Sequence, residues 1–407
     1  MFMFLKSGLH RGLEVQTHKQ LLLFSTIFLL FSTFIGAVIT IHPLYLELFL
    51  EKAELVGLVA ALPSLAGMAF SLHAGVLADK SGRKRLLIAS FLLLSAVLFV
   101  FFLNTSLYAL IGLQIAFGVA MAPAWIAGEA FIKDISPVGR RGEFRSVFGT
   151  FASAGWLTGP LIGGFLAEQF GLRTPYFFAA ILFFVPVILA LELKDDHWNE
   201  NRNPEREVAV EENEFFALVT EFLRQRELKV LALGTLSLYF WYAVKWIFGP
   251  LFLHYLGYSP FIIGLWLAIS SAPYLIFQIP LGKLGDKIGK TKLICLGFVI
   301  STIFIIPLGF LESLSSLLAT IFIISLGTTL VDPLIEARIT DIVPRERYGA
   351  YSGIFEFAKT LGLMLGPVGS ALVVYLFDTS YSFIPTAIFF ILTLALFLYT
   401  RQSLCRI

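Results

Sequence analysis

Twelve stretches of the chain stay apolar for about the 20 residues that a helix needs to cross a bilayer. They fall at 21–45, 55–78, 86–103, 107–132, 144–168, 175–192, 228–255, 261–283, 293–310, 314–340, 351–376 and 381–400. Glycine, serine, threonine and proline are scattered through most of them, as in helices that pack on other helices rather than on lipid alone. The pattern predicts an all-α membrane protein of twelve transmembrane helices. Between the sixth and seventh stretches, residues 194–227 open with a strongly polar run that cannot build a core. Residues 214–226 then alternate apolar and charged positions at helical spacing, which predicts an amphipathic helix on the membrane surface. The first 19 residues, apolar and basic by turns and without a small-residue cleavage site, read as a leader that could form an interfacial helix. The expected organisation is therefore leader 1–19, a six-helix half 20–193, a linker 194–227, a second six-helix half 228–400 and a tail 401–407.

Composition agrees with the pattern. Of 407 residues, 57% are hydrophobic and 14% charged, with a mean hydropathy of +0.84, against about 25% charged in soluble domains. A soluble enzyme of this size is excluded. The 42 Phe residues are expected to pack against lipid. Cys295 and Cys405 make no disulfide framework, and no Cys/His cluster has metal spacing, so neither metal nor cofactor is expected.

Net charge, +2, says little, but its distribution says more. With twelve crossings the connections alternate sides. Of 30 Lys and Arg, only Lys52 and Arg173 lie in connections on one side, while Lys245 and Lys359 sit deep in spans. The other side, called the basic side below, carries the remainder and both termini. The positive-inside rule makes it cytoplasmic and predicts a multi-pass protein of the cell membrane.

Compared with itself, the chain repeats at an offset of 207 residues. Gly75, Asp79 and Gly82 fall on Gly282, Asp286 and Gly289; Glu129 and Asp134 fall on Glu336 and Asp341; Gly155, Gly159 and Pro160 fall on Gly362, Gly366 and Pro367. The offset advances the count by six spans, so the halves are parallel repeats. A pseudo-two-fold axis along the membrane normal follows, with a site between the halves near the midplane.

The run from Gly75 through Asp79, Gly82 and Arg83 to Arg85, with its weaker copy from Gly282 through Asp286 to Gly289, resembles the signature of the major facilitator superfamily. The resemblance implies that fold: two pseudo-symmetric six-helix halves working by alternating access. It implies that Asp79 faces the start of span 11, that Asp286 faces the start of span 5, and that Arg83 pairs with Glu129 or Asp134. Such contacts would latch the cytoplasmic side and break when it opens. With Glu336 and Asp341 these residues form the expected gating set. Gly155, Gly159, Pro160, Gly163 and Gly164 in span 5 are similar to a motif of proton-coupled exporters, the drug:proton antiporter-like branch, and equally suit a helix-packing seam. Two departures stand against a familiar multidrug mechanism. Gln114 occupies the span 4 position where such exporters often carry Arg, and span 1 has no carboxylate.

The repeat also sorts the charges inside spans, which are functional candidates by default. Lys245, Asp332, Glu356 and Lys359 have no charged counterpart, lying opposite Val38, Trp125, Gly149 and Ala152. Asp332 and Lys359 are expected at similar depth, roughly 13 Å and 12 Å along their helices from Asp341 and Tyr351. Asp332, Glu356 and Lys359 either carry a proton through the cycle or hold the second half rigid as a neutral cluster. Lys245, in an aromatic run with Trp241 and Tyr242, either contacts an anionic or amphiphilic substrate or rests on cation–π contacts. Gln114 and Trp125 complete the candidate cavity lining. The leading expectation is a monomeric secondary transporter of a small organic or amphiphilic solute, coupled to protons and directed outward. An importer or facilitator of an anionic metabolite is the alternative within transport, and a transporter-like membrane sensor is an alternative of another class. An enzyme is not expected, because no nucleophile–base pair appears. No P-loop supports direct ATP drive, and no feature points to nucleic acid.

Overall fold

The computed structural model describes residues 2–137, 140–194, 220–222, 224–343 and 348–404. The expected linker and its amphipathic helix lie mostly outside the described residues, as does Cys405. Among the described residues the chain is built from helices, and eleven are long and apolar enough to cross a membrane. Span 5 (Arg141–Phe170) is the twelfth crossing, an unbroken helix of 30 residues whose glycines and hydroxyl residues dilute its hydropathy.

The remaining spans follow the sequence with three differences. Span 1 belongs to one helix, Phe2–Leu50, so the leader is not a separate element; its crossing part is Thr17–Leu50. Span 2 divides into Ala53–Ala60 and Leu62–Ser81, and span 6 into Thr174–Leu182 and Phe184–Leu191. Pro63 and Pro186 explain both breaks, since a proline cannot donate to the carbonyl four residues back and crowds it. Spans 3 (Arg83–Leu103), 4 (Leu107–Ile135), 7 (Arg226–Tyr255), 8 (Pro260–Ile288), 9 (Lys290–Leu308), 10 (Leu314–Ile342), 11 (Tyr348–Leu376) and 12 (Ile384–Leu404) are continuous. A 3-10 turn, Thr379–Phe383, leads into the last.

Neighbour relations repeat with the expected six-span shift. Span 1 lies on span 5 as span 7 lies on span 11, and span 4 lies on spans 2 and 3 as span 10 lies on spans 8 and 9. The halves meet through span 5 against span 8 and span 2 against span 11, two contacts that exchange under the same shift. The phenylalanines of span 1 correct one expectation. Phe24, Phe28 and Phe31 are fully buried, with Phe24 stacked at 4.6 Å on Phe131 and Phe31 at 5.5 Å from Phe91. They fill the first half rather than face lipid.

Span 5 carries two glycine faces. Cβ atoms added at Gly155, Gly159 and Gly163 would lie 2.6, 2.5 and 2.1 Å from span 1 carbonyl oxygens of Leu29, Thr33 and Ala37. On the other face, a Cβ at Gly164 would meet the Pro260 carbonyl at 2.4 Å, and one at Gly264 would meet the Pro160 carbonyl at 2.2 Å. These contacts lie on the far side of the membrane, opposite the basic side, where Ala53–Ala60 also supplies most of the span 2 contact with span 11. Towards the basic side the halves part. Added Cβ atoms at Gly75, Gly142, Gly149, Gly282 and Gly353 would touch nothing within 4 Å. Gly163→Val should therefore destabilise the fold by about 1–3 kcal/mol through overpacking, while Gly149→Ala should be neutral. Thermal denaturation followed by size-exclusion chromatography checks the pair.

Candidate functional site

The two signature loops turn on Gly82 and Gly289, whose φ angles of 88° and 101° suit glycine alone without strain. Each turn delivers a cation to the end of the helix that its own half packs beside it. Arg83 Nε lies 2.7 Å from Asp134 Oδ2, and Lys290 Nζ lies 2.8 Å from Asp341 Oδ2. The two ion pairs occupy positions related by the 207-residue offset. Asp286 makes no ion pair or hydrogen bond with span 5 among the described residues: its side chain is 70% exposed and its partner is Lys290 at 3.6 Å. The Asp79 side chain lies outside the described residues. A Cβ added at Gly75 or Gly282 would meet nothing within 4 Å, so neither signature glycine marks a close helix contact.

Further into the membrane, charged side chains meet across the divide between halves. Arg145 of span 5 donates to Glu129 of span 4 at 2.7 Å and lies 3.8 Å from Glu336 of span 10. Glu336 also accepts from Lys359 of span 11 at 2.9 Å, and Lys359 holds Glu356 at 2.8 Å. Two carboxylates thus share one ammonium, which also lies 5.5 Å from the centre of the Tyr239 ring. Glu336, expected to belong with the gate, is bound into the cluster of Glu356 and Lys359. On span 5, Arg145, Gly149, Trp156, Pro160 and Gly164 recur at spacings of four or seven residues, a single stripe facing the second half. The offset sets Glu356 and Lys359 on the equivalent stripe of span 11, level with positions where the halves stand apart.

One turn above Glu336, Asp332 follows a different pattern. It accepts from the Tyr242 hydroxyl at 3.2 Å, which also bonds the Tyr274 hydroxyl of span 8. No cation lies within ion-pair distance of Asp332 among the described residues. Lys359 is not its partner, although the two were expected at one depth. Tyr242 also meets a cation: Lys245 Nζ sits 5.4 Å from that ring's centre and 5.1 Å from the Trp246 ring. Trp246 in turn meets Trp156 of span 5 at 5.3 Å.

Two expected cavity residues, Trp241 and Gln114, lie elsewhere. Trp241 is fully buried beside Phe383, 6.3 Å between ring centres, because its helix face turns into the second half's own core. Gln114 is sealed inside the first half, its side-chain oxygen 3.1 Å from His42 Nε2, while His42 Nδ1 lies 2.6 Å from the Tyr176 hydroxyl. Trp125 is half-buried and edge-on to Phe31 at 5.3 Å. Sequence reasoning missed Arg145, although it lies opposite Ser352 and the same repeat comparison would have selected it. It also missed the far-side contacts between halves. There Glu168 of span 5 accepts from the Ser259 hydroxyl at 2.5 Å and the Phe261 amide at 3.0 Å, and Tyr255 of span 7 donates to Glu47 of span 1.

A family model described as Major Facilitator Superfamily matches residues 21–244 and, a second time, 230–403. The chain belongs to the Major Facilitator Superfamily. It is a multi-pass membrane transporter and not an enzyme. Multidrug resistance protein 2 of Bacillus subtilis (strain 168) is 25% identical over 348 residues, 85% of this chain and 86% of that protein. The multi-drug resistance efflux pump PmrA of Streptococcus pneumoniae serotype 4 is 28% identical over 355 residues, 83% of this chain and 86% of the pump. Among solved structures, the nucleoside transporter NupG superposes with a TM-score of 0.77 at 14% identity, covering 93% of this chain and 98% of NupG. A bacterial homologue of the human lysosomal transporter Spinster, inward-facing and unoccupied, gives 0.75 at 16% identity over 96% and 98% of the two chains. These two likenesses establish the fold.

The shared ammonium offers a direct test of the cluster. Lys359→Met should cost about 1 kcal/mol, an allowance that includes the exposure of Glu336 and Glu356. Adding Glu356→Gln should restore part of that loss. Thermal unfolding of the two single variants and the double variant measures the coupling.

Proposed function

We propose that this transporter exports small organic or amphiphilic solutes across the cell membrane, as a monomer, by proton-coupled alternating access with its basic side and both termini in the cytoplasm. The observation that carries the proposal is Asp332. It is a carboxyl inside a span, present in one half only, bonded to Tyr242 and with no cation at ion-pair distance among the described residues. At such a position proton uptake removes a buried charge, so occupancy by a proton changes which arrangement of the surroundings is favoured. The multidrug resistance names of the relatives support outward direction. The concentration of Lys and Arg on the basic side supports the orientation.

In this reading the structure is open to the cytoplasm: the halves touch on the far side and part on the basic side. Solute enters from the cytoplasm between the halves. Rocking then breaks the bonds from Ser259, Phe261 and Tyr255 to Glu168 and Glu47, and brings Asp79 and Asp286 towards spans 11 and 5. Outside, the solute leaves and a proton takes Asp332, to be released on return. Arg145, Glu129, Glu336, Lys359 and Glu356 act on the cytoplasmic side of this step. Their ion pairs neutralise charges that would otherwise face a widening gap.

The alternative, an importer or facilitator of an anionic metabolite, is supported by Lys245. Both readings are separated in proteoliposomes with an imposed pH gradient, screened over cationic drugs and carboxylate metabolites. Proton-driven efflux is expected, and Asp332→Asn should reduce it at least tenfold while leaving exchange of internal for external solute intact. Flux of every transported compound that ignores the gradient would sink the proton-coupled reading.

A further inference from the structure

Lys245 lies in the middle of its span, and the described residues supply it no counter-charge. Its side chain lies in a residue only 5% exposed, and among the described residues no carboxylate comes within ion-pair distance of it. Four other cations carried by the spans have carboxylate partners: Arg145 has Glu129, Lys359 has Glu336 and Glu356, Arg83 has Asp134 and Lys290 has Asp341. An unpaired ammonium at this depth is costly, and contacts with the faces of Tyr242 and Trp246 offset only part of that cost. The scaffold does not require it, because the repeat places Val38 at the equivalent position. Aromatic faces surround the charge on the side that adjoins the other half, since Trp246 meets Trp156 of span 5.

We propose that Lys245, with Tyr242, Trp246 and Trp156, binds a transported organic anion that carries an aromatic or extended apolar body. The inference rests on the transport reading and names the class of its solute. The carboxylate, sulfonate or phosphate head takes the position next to the Lys245 ammonium, supplying the charge that the chain does not. The body lies along the indoles of Trp246 and Trp156. Because those two rings belong to different halves, a ligand there contacts both, and its binding differs between the two arrangements of the halves. That difference is what a transported solute must have.

The test is a head-group series on one body, naphthylacetate, naphthylacetamide and naphthylethylamine, titrated by calorimetry against the purified full-length protein. Naphthylacetate should bind about tenfold or more tightly than the amide or the amine, the scale of one charge-assisted hydrogen bond. Lys245→Met should abolish that preference and Lys245→Arg should retain it. No binding of the acid, equal binding of the three compounds, or an unchanged preference in Lys245→Met overturns the proposal. If Lys245→Met fails to fold, the wild-type series and Lys245→Arg still decide it. Proteoliposome flux separates this inference from the reading beneath it. Proton-driven efflux of the amine with none of the acid would refute the anion site and leave coupled export standing. Selective binding of the acid without any response of flux to the pH gradient would do the reverse.

Discussion

A helix can lie against two neighbours at backbone distance only where it presents small residues on two faces, and span 5 does so. Gly155, Gly159 and Gly163 set it on span 1 inside its own half, while Pro160 and Gly164 set it against span 8 of the other. Lipid gives no hydrophobic drive for one helix to join another, so such contacts depend on close packing. The two seams share one stretch of backbone, and span 5 cannot shift relative to span 1 without losing carbonyl-to-glycine contacts at three positions. The opposite end of the same stripe carries Arg145, whose long side chain reaches Glu336 of the other half. One helix thus combines a rigid bearing on the far side with an adjustable contact on the basic side.

Charge follows the same division. On the basic side, cations and carboxylates are arranged in pairs and a shared triad, and two of these pairs copy each other through the repeat. On the far side, Glu47 and Glu168 of the first half accept from hydroxyls and an amide of the second. Neutral donors bind a carboxylate less strongly than cations do, which suits contacts that a transport cycle must open repeatedly. Between the two levels lie Asp332 and Lys245, both in contact with Tyr242 and each without an ion pair among the described residues.

Most of the fold could be read in the sequence, because hydropathy and the 207-residue repeat are properties of the chain rather than of its packing. The breaks at Ala61 and Phe183 could also have been read, since Pro63 and Pro186 lie just beyond them. The site was less legible. The run containing Trp241, Tyr242, Lys245 and Trp246 is aromatic all round its helix, so no periodicity distinguishes the face towards the core from the face towards the other half. Symmetry grouped Glu336 with Glu129, yet the partner that fixes its surroundings, Lys359, has no counterpart in the repeat. Arg145 escaped notice for the opposite reason: on a basic side, one more cation is what topology predicts. The phenylalanines of span 1 were misjudged because an apolar side chain suits lipid and protein interior equally well, and only the neighbours decide between them.

The pairing of Trp156 with Trp246 has a practical consequence. Two indoles 5.3 Å apart, one in each half, form a native optical gauge of the distance between the halves. Their emission depends on mutual contact and on the polarity around them, both of which would change in the rocking proposed above. The conformational cycle can therefore be followed in real time in the unlabelled protein, with single Trp-to-Phe replacements assigning the signal against the four other tryptophans of the chain.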